Sequence, residues 1–382
     1  MPALLAVLAL MAMLLPMLPA LLEWHRPTDV APLGIDSADA LDPAFLARGF
    51  AARVAETLAR GDAALGRSAL VSLRGNVSAV CWPLRPDERL RRSSQRVWHV
   101  DGDTELPAGI SLMGEVAASG SLATARSGLY RALLAGQRLS LAEDSVVLRW
   151  AHAADLEAAP GCHLAGRATA DREIVVHERV RFSRLHAPTV RFVTGTGGLA
   201  QAAAAAAASR LKVKVLPRRL GDDGPVAWEA GLRRGIADAA LDIGPHRTWR
   251  GDIVCHGRLR LGRGCRARGN LKAHGELVLA RDCSISGSVV AVGAVRLGDG
   301  CRVRGSVISE TAVVLGPGCV VGTPEQPATV SAPRIRVACG VVVHGTLWAG
   351  VAGRSVDAAA VAARRAGASA DTVPMAAPRV AA

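Results

Sequence analysis

From Ile253 onward the hydrophobic pattern repeats every six residues. Ile253, Leu259, Cys265, Leu271, Leu277, Cys283, Val289, Val295, Cys301, Val307, Val313 and Cys319 form an unbroken apolar series at that spacing. A second series runs two residues later: Cys255, Leu261, Ala267, Ala273, Leu279, Ile285, Ala291, Leu297, Val303, Ser309, Leu315 and Val321. Ser309 is its single polar member. Two inward positions separated by one outward residue describe a short strand, because successive side chains on extended backbone point to opposite faces. No α-helix accommodates a period of six, and self-similarity at a fixed interval marks a solenoid. The pattern predicts an all-β fold, a parallel β-helix over 252–350.

The corners lengthen the period. Gly257, Arg263, Gly269, Gly275, Arg281, Gly287, Gly293, Asp299 and Gly305 cycle glycine, charged, glycine, while Cys265, Cys283, Cys301 and Cys319 recur every 18 residues. One coil is therefore three short strands in a triangular turn. Glycine at two corners of three is expected where φ is positive or a side chain has no room. The four cysteines are expected to stack as a structural core ladder, about 4.8 Å apart, with the thiol acting as a small buried hydrophobe. The eight cysteines form no CxxC pair and have no HxxxH partner, so no metal site is expected.

Upstream, the same signal is weaker. Ile110, Val116 and Leu122 pair with Leu112, Ala118 and Thr124; Cys162, Ala168, Ile174 and Val180 pair with Leu164, Ala170, Val176 and Phe182. Residues 63–194 are read as irregular coils, with an interruption near Gly128–Gly136. Residues 195–251, with seven alanines at 202–208, read as a linker or insertion. After Pro324-Glu325-Gln326-Pro327 a last coil contains Val341, Val343 and Gly345, and 351–382 read as a disordered Ala-rich tail.

The first 22 residues carry no charged side chain, long enough for an uncleaved transmembrane helix. There is no basic residue before the apolar run and no A-x-A cleavage site after it, against a signal peptide. Arg26, Arg48, Arg53 and Arg60 follow the segment, so the positive-inside rule places the C-terminal body in the cytoplasm, behind a single pass of the inner membrane. Within the stretch 23–62, Asp42-Pro43 reads as a helix start, Leu46, Phe50, Val54 and Leu58 as one apolar stripe, and Gly61 as the stop. This helix is expected either on the membrane surface or over one end of the downstream fold.

Composition sharpens the class. Hydrophobic residues make up 50% but aromatics only 3%, as suits a core of stacked aliphatic rungs rather than a conventional globular one. The net charge of +13 is carried almost wholly by arginine. Single-stranded nucleic-acid binders interleave basic residues with stacking aromatics, and one Tyr and four Phe do not supply them. Outward arginines fall on alternate coils: Arg266, Ser284, Arg302 in one column, Arg268, Ser286, Arg304 in the next, and Arg260, Val278, Arg296, Val314 in a third. That spacing limits repulsion between neighbouring strands and leaves a basic stripe fitted to a soluble face, to anionic lipid or to an acidic partner.

Within this coil pattern, Gly269-Asn270-Leu271-Lys272-Ala273-His274-Gly275 and His344-Gly345-Thr346-Leu347-Trp348-Ala349 resemble the bactofilin family of polymer-forming bacterial cytoskeletal proteins. The resemblance covers 252–350 well and 110–192 loosely. It implies a right-handed β-helix that assembles without nucleotide at the inner face of the membrane, in a subset with a preceding membrane helix. The large N-terminal region and the 195–251 excursion depart from the family pattern.

Chemistry is sparse. His256, His274 and His344 are the candidates for the general base of a hexapeptide-repeat acyltransferase acting at the membrane, the alternative reading, but each is an outward residue beside a glycine corner. Gly195-Thr196-Gly197-Gly198 lacks the frame of a phosphate loop. No catalytic residue and no cofactor are expected. Partners are expected to be further copies of the chain, meeting through the β-helix ends, together with the inner membrane and envelope-biosynthesis proteins. Val343, Leu347 and Trp348 are the candidates for an end cap or assembly surface.

Overall fold

The computed structural model describes residues 11, 13–25, 42–61, 70–73, 77–81, 93–94, 97–106, 108, 111–194, 218–219, 226–229 and 233–356. Two compact units are present, Met1–Phe45 and Leu46–Ala382. Half of the apolar segment expected as a membrane helix, residues 1–10 and 12, lies outside the described residues. Its described part is divided between a 3-10 turn, Leu15–Met17, and a helix, Leu18–His25. Pro16 and Pro19 each stand in the first turn of their element, where a missing N–H removes no internal hydrogen bond. Among the described residues no helix is long and apolar enough to cross a membrane.

The second unit is a parallel β-solenoid of about 12 turns. All 24 positions of the two apolar series from Ile253 to Val321 are buried, none more than 3% exposed. The ladders run at the 18-residue interval: Ile253 pairs with Leu271, Val289 and Val307 in turn, Leu259 with Leu277, Val295 and Val313, and Ala267 with Ile285, Val303 and Val321. Each coil thus has three faces.

Of the two reasons expected for glycine at the corners, lack of room is the one that holds. At Gly293 a Cβ would lie 2.6 Å from the backbone carbon of Gly275 one coil below, so glycine is required there by close approach. Left-handed backbone belongs instead to the third corner, just before the cysteine column, where His246, Gly264, Asp282, Gly300 and Gly318 all have φ between 58° and 71°.

The upstream region is a second stack of coils rather than an interrupted one. Leu129–Ala135 is a strand in register with Ser111–Ala118 before it and Val146–Ala158 after it. The hexads lose phase because part of each coil is one residue short: Ser111 pairs with Leu129, 18 residues on, but Leu122 with Leu139, 17 on. Bulges such as that between Leu112 and Glu115 absorb the difference. The downstream stack also begins earlier than 252. Arg234–Ala237, Leu241–Ile243 and Arg247–Arg250 form a full coil below Asp252–Cys255, Leu259–Leu261 and Arg266–Arg268. Its last coil extends to Val356, and the poly-alanine run and the tail from 357 lie outside the described residues.

The helix Phe45–Gly61 starts as expected: Asp42 Oδ1 accepts a hydrogen bond from the Ala44 N–H at 2.8 Å. Its apolar stripe covers neither a solenoid end nor a membrane. Ala47, Phe50 and Val54 pack on the lateral face of the upstream stack, against Val97, Ala117, Ala132 and Trp150, with the Phe50 and Trp150 ring centroids 5.4 Å apart. Outward positions of that face are apolar where a solvent-facing strand would be polar, which is the reason a helix must sit there.

Candidate functional site

The two stacks meet through their last coils. Arg181–Phe192 pairs antiparallel with Val342–Val356, although successive coils within each stack pair in parallel, as Arg181–Phe192 does with His163–Val176 and Ala328–Ala338 with Val342–Val356. Leu185 lies opposite Leu347 and Val190 opposite Val343, and all four side chains are fully buried. Around them the joint is polar and specific. The Arg184 guanidinium sits 4.1 Å above the Trp348 ring, a cation–π contact. His186 Nδ1 is 2.7 Å from Thr346 Oγ1, and His344 Nδ1 is 3.1 Å from the Pro188 carbonyl oxygen. Ser355 Oγ donates to the His177 carbonyl at 2.6 Å and accepts from the Val180 N–H at 2.9 Å. A Cβ on Gly353 would lie 2.3 Å from the buried Phe182 ring, so the two coils approach as closely as they do only because this residue is glycine. Of the candidates for an end cap or assembly surface, Val343 and Leu347 therefore lie inside a junction that the chain makes with itself, and Trp348 lies half-exposed at its edge.

The other end of the downstream stack differs. Leu241–Ile243 pairs with Leu259–Leu261 alone among the described residues. The Leu241 N–H donates to the Arg258 carbonyl at 2.8 Å, and the Ile243 carbonyl accepts from Gly262 at 2.7 Å. In a parallel ladder alternate residues serve opposite neighbours, so the Asp242 N–H and C=O face away from the stack, along an edge with no described partner.

On the third face of the downstream stack the expected arginine columns stand in register. Arg266 lies beside Ser284, and Ser284 beside Arg302. Arg268 and Arg304 flank Ser286 in the parallel column, and all six side chains are exposed. Together they line an open basin of about 570 Å³. Arginine is not confined to alternate coils, however, because Arg250 lies directly beside Arg268.

The cysteine column is fully inside. Cys265, Cys283, Cys301 and Cys319 are at most 1% exposed, and each thiol reaches a corner carbonyl 21 residues back: Gly244, Gly262, Ala280 and Gly298, at 3.0 to 3.2 Å. The small side chain that fills space in the core thus also gives a corner carbonyl a hydrogen-bond partner, a role a pure hydrocarbon could not take. The neighbouring Cys283 thiol and burial push the Cys265 thiol upward, and burial raises Cys162 from 9.0 to about 12. Thiols held protonated in this way are poor nucleophiles.

The three histidine candidates do not converge. His256 and His274 stack on each other with ring centroids 5.0 Å apart on the first face, His256 Nδ1 lying 3.4 Å from the exposed Asp238, while His344 is in the joint. A different grouping, not singled out from the sequence, lies beside the helix Phe45–Gly61. A largely apolar cleft of about 350 Å³ opens there between the helix and the sheet. At its rim the buried His152 places Nδ1 2.8 Å from Thr169 Oγ1 and Nε2 3.7 Å from Asp171, which also lies 3.7 Å from Arg48. His99 is on the same wall, its pKa lowered by burial. Ser119, the hydroxyl in the cleft, donates to Asp101 at 2.8 Å and accepts from the Gly102 N–H at 2.7 Å, so it is engaged in fixing a corner. Among the described residues no group of three or more His, Cys, Asp or Glu side chains could hold a metal ion. Comparison with protein-family models, with curated proteins and with solved structures gives no match in any of the three, so the coil geometry itself is what any functional reading of this chain rests on.

Proposed function

We propose that this chain is a membrane-anchored scaffold of the bactofilin type, which forms polymers without nucleotide and organises envelope or cell-shape machinery. The observation that supports it is the antiparallel joint. In it the terminal coil of one stack receives the terminal coil of another through backbone pairing and apolar burial. That is the contact an end-to-end assembly of solenoids needs, made here within one chain. The edge at Leu241–Ile243 offers the same kind of contact to a second copy. The apolar run at the N-terminus serves as the anchor, and the arginines that follow it keep the solenoid on the cytoplasmic side of the inner membrane.

Sedimentation and negative-stain microscopy of the purified full chain, with and without ATP or GTP, test this reading. Polymers that form equally well in both conditions and persist in high salt are the expected result, because backbone pairing and apolar burial are not screened as surface charge is. A folded chain that stays monomeric throughout the micromolar range would remove the polymer function.

A further inference from the structure

We propose that the arginine basin on the third face is a binding site for the phosphate headgroups of an anionic bilayer. Ser284 lies one strand from Arg266 and one from Arg302, so guanidinium pairs stand two strands apart, about 10 Å, with two short hydroxyl side chains between them. The short serines create the concavity, and the four arginines wall it. A guanidinium carries N–H donors and no acceptor, and its fork matches phosphate geometry. The basin thus offers donors from every side, with hydroxyls at its floor.

Its charge is uncompensated. Among the described residues, none of Arg266, Arg268, Arg302 and Arg304 forms an ion pair or a side-chain hydrogen bond. Asp282, at the rim, lies 3.6 Å from Arg263 instead. The second face behaves otherwise. There Arg296 bonds Glu276 at 2.6 Å, and Arg258 pairs with Asp242 at 3.9 Å. Solubility alone gives no reason to pair Arg258 and Arg296 and leave all four of these arginines bare.

The occupant follows from the shape of the array. Arg250 continues the column beyond Arg268, so the donors lie along one flat parallel sheet rather than converging on a single point. A planar lattice of donors matches a planar lattice of phosphates. Basic residues near an anionic leaflet add their attractions, and screening by salt weakens them. This inference deepens the membrane part of the function proposed above and rests on that reading for bringing the solenoid near a bilayer.

The test is flotation of the full chain with vesicles of phosphatidylcholine alone and of phosphatidylcholine mixed with phosphatidylglycerol. The comparison variant carries Arg266→Ser, Arg268→Ser, Arg302→Ser and Arg304→Ser, which extends a residue that the middle coil already bears at these positions. Wild type should bind the mixed vesicles about tenfold or more tightly than the variant, and the difference should shrink as salt rises. Binding to phosphatidylcholine alone should be the same for both. An equal preference for phosphatidylglycerol in the variant would overturn the proposal. So would a wild-type preference that tripolyphosphate at constant ionic strength leaves unchanged, since the guanidinium groups would then not be what holds the phosphates. Failure of both proteins to bind phosphatidylcholine, with the phosphatidylglycerol difference intact, would count against the apolar anchor and not against the basin.

Discussion

A thiol at the inner edge of a corner does two things at once: it fills a small space and donates a hydrogen bond to a corner carbonyl. Replacing Cys283 with Ala removes both, leaving a small void and an unsatisfied Gly262 oxygen, and should cost about 1–2 kcal/mol in urea denaturation. The same chemistry sets an alkaline limit. Burial raises the Cys162 thiol from 9.0 to about 12 and the Tyr130 phenol from 10.0 to about 12. A group whose folded pKa is raised contributes stability that is whole below its unfolded value and is lost as pH rises through the folded one. The urea midpoint should therefore be flat with respect to these groups up to about pH 8.5 and fall between about 9 and 12, each proton contributing a slope of about 1.4 kcal/mol per pH unit. Cys162→Ala should make the fall shallower, and an unchanged slope would show that the thiol is not protected. The positions of these cysteines were legible from their 18-residue recurrence. Their carbonyl partners were not, because the acceptor lies 21 residues back, on a corner whose left-handed backbone is formed by His246 and Asp282 as readily as by Gly264 and Gly300. A corner that several residue types can serve leaves a blurred sequence signal.

At the scale of elements, strict hexads could be read directly, whereas bulged ones could not. A single residue lost between Ser111 and Leu139 shifts every later inward position, so the coil at Leu129–Ala135 reads as an interruption although its interior is as closely packed as any other. The helix Phe45–Gly61 was legible in its start, stripe and stop, but its docking place was not, since that depends on apolar outward residues of strands about 50 to 100 positions away. Phe50→Ala should loosen this helix alone. Removing a buried ring that stacks on Trp150 costs about 3 kcal/mol, so hydrogen exchange should rise across 45–61 while 252–321 stays protected. Exchange rising equally in both regions would show that the helix and the solenoid unfold together. At the joint, Gly353→Ala drives a methyl group into the Phe182 ring, which is itself enclosed, and should destabilise the contact by about 1–3 kcal/mol. Faster exchange in 342–356 and 181–192, with the Ile253–Val321 rungs unaffected, is the expected signature.

In the whole second unit, two stacks that each run N- to C-terminally are turned face to face at their last coils. What a single solenoid would present as its C-terminal end is thereby covered, and the coils left at the extremities are the first ones of each stack. Neither hexad series contains this information, since pairing direction between two distant coils leaves no periodic trace in either. Any end-to-end assembly through the downstream stack must then use the coil that begins at Arg234, where the Asp242 N–H and C=O point outward. Proline at this position is a discriminating change. It removes a donor from the open edge but none from the ladder to Arg258 and Gly262, a place where strands tolerate it. Asp242→Pro should leave thermal stability within about 1 kcal/mol of wild type and shorten or abolish the polymers seen by sedimentation. Asp242→Asn, which keeps the backbone donor and alters only charge, should assemble as wild type does. If the proline variant polymerises unchanged, the edge at Leu241–Ile243 is not the assembly contact, and growth must proceed from the first coil of the upstream stack.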